Sequence, residues 1–143
     1  MNTCHLVQKY APLAARVLLA QLFIVSGIGK IARFAGMASF MAGKGMPMAE
    51  VLLALTIALE VGGGILLIVG WQARWVAAAF FGFTLLTAVM FHPFWAADAA
   101  NFGAQLNNFM KNLSIMGGML YVIAYGAGPF SLGADRCPAV TGR

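Results

Sequence analysis

The feature that most limits what this chain can become is a series of four apolar runs, at about residues 12–31, 49–70, 74–92 and 109–128. Each is close to the roughly 20 residues a helix needs to cross a bilayer. In hydrocarbon every backbone N–H and C=O must be satisfied within the segment, so isolated runs of this length read as helices. The expected fold class is therefore all-α, an integral membrane four-helix bundle forming a single domain over 1–143. Composition agrees: 62% of the residues are hydrophobic, 9% are charged and the mean hydropathy is +0.86. Soluble domains carry about 25% charged residues. The first run holds Arg16 and Gln21, which makes it too long and too polar for a removable secretory segment.

Four spans place both termini on one side. The second and third runs are joined by GWQAR, Gly70 to Arg74, a hinge short enough to force antiparallel neighbours. Two longer connections lie on the other side. In ARFAGMASFM, residues 32–41, Phe34, Met37, Phe40 and Met41 recur at helical spacing, which predicts a short interfacial helix. Gly43 and Gly45 are expected to end it, and Pro47 to open the next helix. The connection from His92 to Asn108 mixes Phe94, Trp95 and Phe102 with polar residues and reads as a second interfacial cap. The glycine pairs in VGGG and MGGM predict close helix contacts.

A net charge of +5 raises the question of nucleic acid, but the nine basic residues are scattered at helix ends without a run. The lipid bilayer is the expected partner, and no nucleic acid is. With Arg16, Lys30 and Lys111 set aside as bundle residues, Lys9, Arg74, Arg136 and Arg143 flank the terminal side, and Arg33 and Lys44 the other. That bias favours cytoplasmic termini. Cys4 and Cys137 lack metal-ligand spacing and read as incidental thiols; no metal is expected.

Any chemistry must reside in the polar residues of these helices. On the first, Arg16, Ala20, Phe23, Gly27 and Lys30 share one stripe; on the fourth, Lys111, Ser114, Gly118, Tyr121 and Tyr125 do, and the last four of these are expected to line a pocket. If the outer ends of the first two helices are level, Arg16 and Glu60 differ by about 6 Å of rise. A buried Arg16–Glu60 pair helped by Gln21 is then expected, since an unpaired charge at mid-membrane costs about 2.5–3.5 kcal/mol. Lys30, Glu50, His92 and Lys111 fall at the opposite end. Lys111 with Asn112 at a helix N-terminus is disfavoured by the macrodipole unless an anion meets it, so these five residues form a candidate anion or ligand site.

The chain resembles the DoxX-like membrane proteins from about Arg16 to Ser131. The matching pieces are R-x6-F-x3-G-x2-K at Arg16, Phe23, Gly27 and Lys30; the FAG…M…KGMP connection; and E-x-GGG…GWQxRW from Glu60. They continue with FHPFW at Phe91 to Trp95, FMKN…GG at Phe109 to Gly118, and GAGPFSL at Gly126 to Leu132. The aspartate that often follows the final Ser-Leu in the family is Gly133 here. The resemblance implies a four-helix protein of the bacterial inner membrane, related to small subunits of quinone-linked oxidoreductases or to partners of redox-stress enzymes. No catalytic residue or intrinsic cofactor is expected, because the sequence has no paired intrahelical histidines for haem, no cysteine cluster and no Gly-rich nucleotide loop. A quinone is the cofactor class left open, and so is self-association. The leading expectation is an accessory or anchor subunit with a polar anion or quinone head-group site at one end of the bundle. The alternatives are a small-solute or proton transporter using Glu60, and a purely structural or assembly protein.

Overall fold

The structure, a computed structural model, describes residues 3–133. Arg136, Cys137 and Arg143, which enter the orientation and thiol arguments above, lie outside them. Within that range the chain forms α1 (Thr3–Ala32), α2 (Phe34–Gly43), α3 (Ala49–Ile57), a π-helical turn (Ala58–Gly63), α4 (Gly64–Val69), α5 (Ala73–Phe91), a 3-10 turn (Phe94–Ala96) and α6 (Phe102–Tyr125). No strand occurs among the described residues. Because α3, the π turn and α4 are contiguous, they make one rod, and the molecule is a bundle of four long helical rods with two short helical caps at one end.

Three rods, Thr3–Ala32, Ala49–Val69 and Ala73–Ala96, are long and apolar enough to cross a membrane. The fourth, α6, has 24 residues but carries Gln105, Asn107, Asn108, Lys111 and Asn112 in its first half, which lowers its hydropathy. Two boundaries differ from the sequence expectation. The first helix starts at Thr3 rather than near residue 12, with Pro12 inside it. The last starts at Phe102 rather than near 109, because Asp98 accepts from the backbone N–H of Asn101 at 2.9 Å and turns the chain into the helix early. Pro47 lies in the loop before α3, which begins at Ala49.

The rod Ala49–Val69 packs along α1, α5 packs most extensively on α6, and the Gly70–Gln72 turn joins the two pairs. Gly70 and Gln72 both have left-handed backbone (φ +71° and +50°), so the reversal is tight. Small residues set the approach of α1 to its neighbour. A Cβ on Gly27 would lie 2.7 Å from Val61 Cγ2, and one on Gly64 would lie 2.5 Å from Ile24 Cγ1. Gly118 sits against Leu19, while Gly62 and Gly117 face open space, so one or two glycines of each cluster make the contact.

Two apolar clusters result. The larger fills the half of the bundle nearer the termini, around Ala20, Phe23, Leu67, Phe80, Met119 and Val122. The smaller joins α2 to the start of α3 through Ala38, Met41 and Leu53. This second cluster explains the helix register. The first turns of α3 are used against α2 and so overshoot the end of α1, which places Gly27 level with Glu60 and Val61, and Arg16 level with Gly70.

After α6 the chain from Gly126 to Gly133 folds back as a strap across the terminal end. Leu132 N–H donates to Val69 O at 2.9 Å and Gly133 N–H to Gly70 O at 3.2 Å. Tyr10 stacks on Phe130 at 5.6 Å, and Lys9 lies over both rings.

Candidate functional site

The stripe of α1 behaves as its spacing requires: Arg16, Ala20, Phe23 and Gly27 are its buried residues, and Lys30 follows one turn on. The partners, however, are not those expected. Glu60, 3% exposed, is held by Lys30, whose Nζ donates to both carboxylate oxygens at 2.7 Å and to Ser26 Oγ at 2.6 Å. Ser26 Oγ in turn donates to Glu60 Oε1 at 3.2 Å. The expected Arg16–Glu60 pair is therefore corrected to Lys30–Glu60. The cause is the register shift imposed by α2, which lowers Glu60 to the level of Ser26, Gly27 and Lys30. Gln21 points outward and takes no part.

Arg16, 1% exposed, sits at the other end, where its Nη2 donates to Pro129 O at 3.1 Å and Phe130 O at 2.9 Å. Its Nη1 occupies the space a Cβ on Gly70 would need. Arg16 is thus the clasp of the strap, which the sequence reading missed. The glycine that opens GAGPFSL, Gly126, ends α6 as an apt helix terminator and was the signal available for it.

The Lys30–Glu60 pair forms one wall of a cavity of about 490 Å³ enclosed by α1, α2, the α3–α4 rod, α5 and α6. That volume falls within the ordinary range for small-molecule sites. Its polar groups are Ser26, Lys30, Thr56, Glu60, Thr84, Thr87, His92 and Asn112, and the remaining walls are aromatic, methionine and aliphatic side chains. The Phe23–Phe80 stack, 3.9 Å between centroids, lies beneath it and closes it toward the terminal half. Of the lining side chains Leu22 and Phe40 are themselves about half exposed, so the open side is apolar. Phe40 stacks on Phe91 at 6.0 Å across that side. Glu60 also lies within the π turn, a distortion that interrupts regular helix hydrogen bonding and recurs at functional sites.

Of the residues proposed for this end, Lys30, His92 and Asn112 line the cavity, and His92 Nδ1 lies 3.0 Å from Gln105 Oε1, fixing the end of α5 to α6. Glu50 does not join them. It is exposed and lines a separate shallow groove with Ala38, Ala42 and Met48, because α2 stands between it and the cavity. Lys111 is exposed and lies well inside α6, so it has no helix N-terminus to oppose, and it does not line the cavity.

The expected pocket lining on α6 is also corrected. Tyr121 and Tyr125 are 67% and 70% exposed and lie against each other with ring centroids 4.5 Å apart and planes tilted by 38°; Ser114 is exposed and donates to Met110 O at 3.1 Å; Gly118 packs on Leu19. The face of α6 turned inward carries Asn112, Ile115, Met116, Met119 and Val122, roughly a third of a turn away. Sequence reasoning also missed Ser26 and Thr84. Thr84 is 2% exposed and its Oγ1 makes no hydrogen bond. A buried hydroxyl left unpaired costs about 1–3 kcal/mol.

The sequence model of the DoxX family matches residues 11–93. The chain is a member of the DoxX family. Its relatives include the Escherichia coli K12 inner membrane protein YqjF, 42% identical over 122 residues, covering 84% of this chain and 87% of the relative. Another is the inner membrane protein YphA of the same organism, 35% identical over 120 residues, 84% of this chain and 86% of the relative. No solved structure matches. In this DoxX protein the family match contains Lys30, Glu60, Thr84 and His92 but ends before α6, which adds Asn112 and Ile115 to the same cavity.

Proposed function

We propose that this protein holds a small lipid-soluble molecule of the quinone head-group class in the Lys30–Glu60 cavity, serving as an inner-membrane accessory subunit of a quinone-linked or redox-stress oxidoreductase system. The observation that carries this reading is a buried, internally neutralised polar wall at the bottom of a cavity whose open side is apolar. Lys30 has spent its three donors on Ser26 and Glu60, and its charge is cancelled, so the wall offers polarity without net attraction for a free anion. An apolar mouth favours entry from lipid over entry from water. The inner membrane is supported by the names of YqjF and YphA. Cytoplasmic termini remain the orientation favoured by the flanking charges.

Transport past Glu60 is the weaker reading, since a solute leaving the cavity toward the terminal end would have to cross the packing of Phe80, Leu67 and Met119. The test uses the full chain purified in mild detergent. Decylubiquinone should raise its unfolding temperature, by an amount equivalent to about 2.7 kcal/mol at 100 times the dissociation constant. Solvent extraction of the purified protein should also yield quinone. Absence of both effects leaves a structural or assembly protein and overturns the proposal.

A further inference from the structure

The polar groups of the cavity sort into three kinds once each hydrogen is accounted for. The first kind is spent within the wall. Lys30 gives its donors to Glu60 and Ser26, and Ser26 passes its own hydrogen to Glu60 Oε1. Thr84 is out of play for a different reason, since its Oγ1 is enclosed by packing and presents no surface to an occupant. The second kind can turn either way. Thr56 and Asn112 line the cavity, and neither side chain hydrogen-bonds to another described residue. A hydroxyl and a carboxamide each offer both a donor and an acceptor, so these two accommodate an occupant of either polarity.

The third kind is fixed in direction, and it accepts. Thr87 uses its hydrogen on Thr84 O at 3.0 Å, which leaves only lone pairs on its Oγ1. His92, at the C-terminal end of α5, has its Nδ1 3.0 Å from Gln105 Oε1. An oxygen at that distance calls for the ring proton on Nδ1, so Nε2 of the neutral imidazole carries a lone pair and no hydrogen. The ring makes no other hydrogen bond among the described residues.

We infer that His92, held in this tautomer by Gln105, makes the cavity prefer a ring that bears a hydroxyl over the same ring with a carbonyl, the hydroxyl donating to Nε2. The inference rests on the ligand reading above and deepens it, naming the reduced, dihydroxy form of a quinone as the better guest. A carbonyl oxygen brought to Nε2 sets lone pair against lone pair, whereas a ring hydroxyl pairs with it. Thr56 and Asn112 adapt to whatever the rest of the ring presents. Phe83 and Phe91 line the same cavity and supply flat apolar surface for the ring. Gln105 touches no guest in this scheme and is a positioning residue.

The experiment measures the dissociation constants of decylubiquinol and decylubiquinone, under argon in the same detergent, for the parent, His92→Leu, His92→Gln and Gln105→Leu. The parent is expected to bind the quinol about 5- to 10-fold more tightly than the quinone, the worth of one neutral hydrogen bond. In His92→Leu, which has no acceptor, and in His92→Gln, whose carboxamide can turn either way, the two affinities should become nearly equal. His92→Gln keeps a polar group at the end of α5 and serves if His92→Leu does not fold. Gln105→Leu frees the ring to carry its proton on either nitrogen and should lower the preference while both forms still bind; mere loosening of α5 from α6 would weaken both forms alike. An unchanged preference in Gln105→Leu overturns its part in setting the tautomer. A parent without preference for the quinol, or a preference kept in the His92 variants, overturns the inference, and decylubiquinone binding in that case leaves the ligand reading intact. No binding of either form to the parent overturns both.

Discussion

α1 carries two buried or nearly buried cations on one stripe, and the two ends of the bundle treat them differently. Arg16 spends its charge on backbone carbonyls, fastening the Gly126–Gly133 strap over a tightly packed core. Lys30 spends its charge on a carboxylate beside an open cavity. Arg16 reaches both strap carbonyls through Nη2 alone, whereas the compact ammonium of Lys30 divides its donors between Glu60 and Ser26. The difference separates a cation that closes the molecule from one that leaves a neutral polar surface available to a guest. A buried charge by itself thus indicates neither role; its partner does.

Breaking the open end should have the largest effect. Lys30→Met leaves Glu60 buried without a counter-charge, and losing one member of a buried pair costs about 3–5 kcal/mol. The lower figure is expected here, because the Lys30 side chain is 19% exposed. Chemical unfolding in detergent should recover much of that loss in the Lys30→Met/Glu60→Gln double variant. If the double variant is as unstable as the single one, the pair is not what holds this wall.

Breaking the closed end should cost somewhat less. Arg16→Leu removes two charge-assisted bonds, each in the range of about 1.5–3 kcal/mol, but the strap carbonyls can then turn to water at the interface. Limited proteolysis should cut between Gly126 and Gly133 faster in this variant, and Arg16→Lys should not restore the parental rate. Unchanged cleavage would show that Leu132, Gly133 and the Tyr10–Phe130 stack hold the strap unaided.

The boundary between the ends can be probed through Gly64, where the added methyl of Gly64→Ala meets Ile24. Overpacking of this kind costs about 1–3 kcal/mol. A melting temperature equal to the parent's would mean that α1 and α4 separate freely there. The smallest effect is expected at the outward face of α6. Tyr125→Phe should change stability by no more than about 0.5 kcal/mol, as substitutions away from buried features do. A larger loss would place its hydroxyl in a contact absent from the monomer.

Much of the architecture was legible because hydrophobic length reports directly on span number, and because GWQAR is too short for any connection but a hairpin. The stripe of α1 was legible for a related reason: its small and aromatic residues recur with the helix period and have only one neighbour to meet. The Arg16–Glu60 pairing failed because depth was counted from aligned helix ends. Nothing in the local pattern says that α2 claims the first turns of α3 through Leu53. The α6 face failed for a chemical reason. Polar residues were taken to point inward, yet Ser114 satisfies its hydroxyl on its own backbone and the tyrosines turn outward. Thr84 was invisible because an unpaired hydroxyl is a property of its surroundings and not of its neighbours in sequence.

The widened turn at Ala58–Gly63 lets one rod serve three clients. Leu53 before it is committed to α2, Glu60 within it to Lys30, and Leu67 after it to the central core, at equal sequence intervals. A regular helix keeps such a series nearly in line, drifting by about 20° per seven residues. The extra residue in the π turn instead acts as a phase adjuster between the two segments, so the half that faces α2 and the half that faces α1 can each be aimed separately while the axis stays continuous across the membrane.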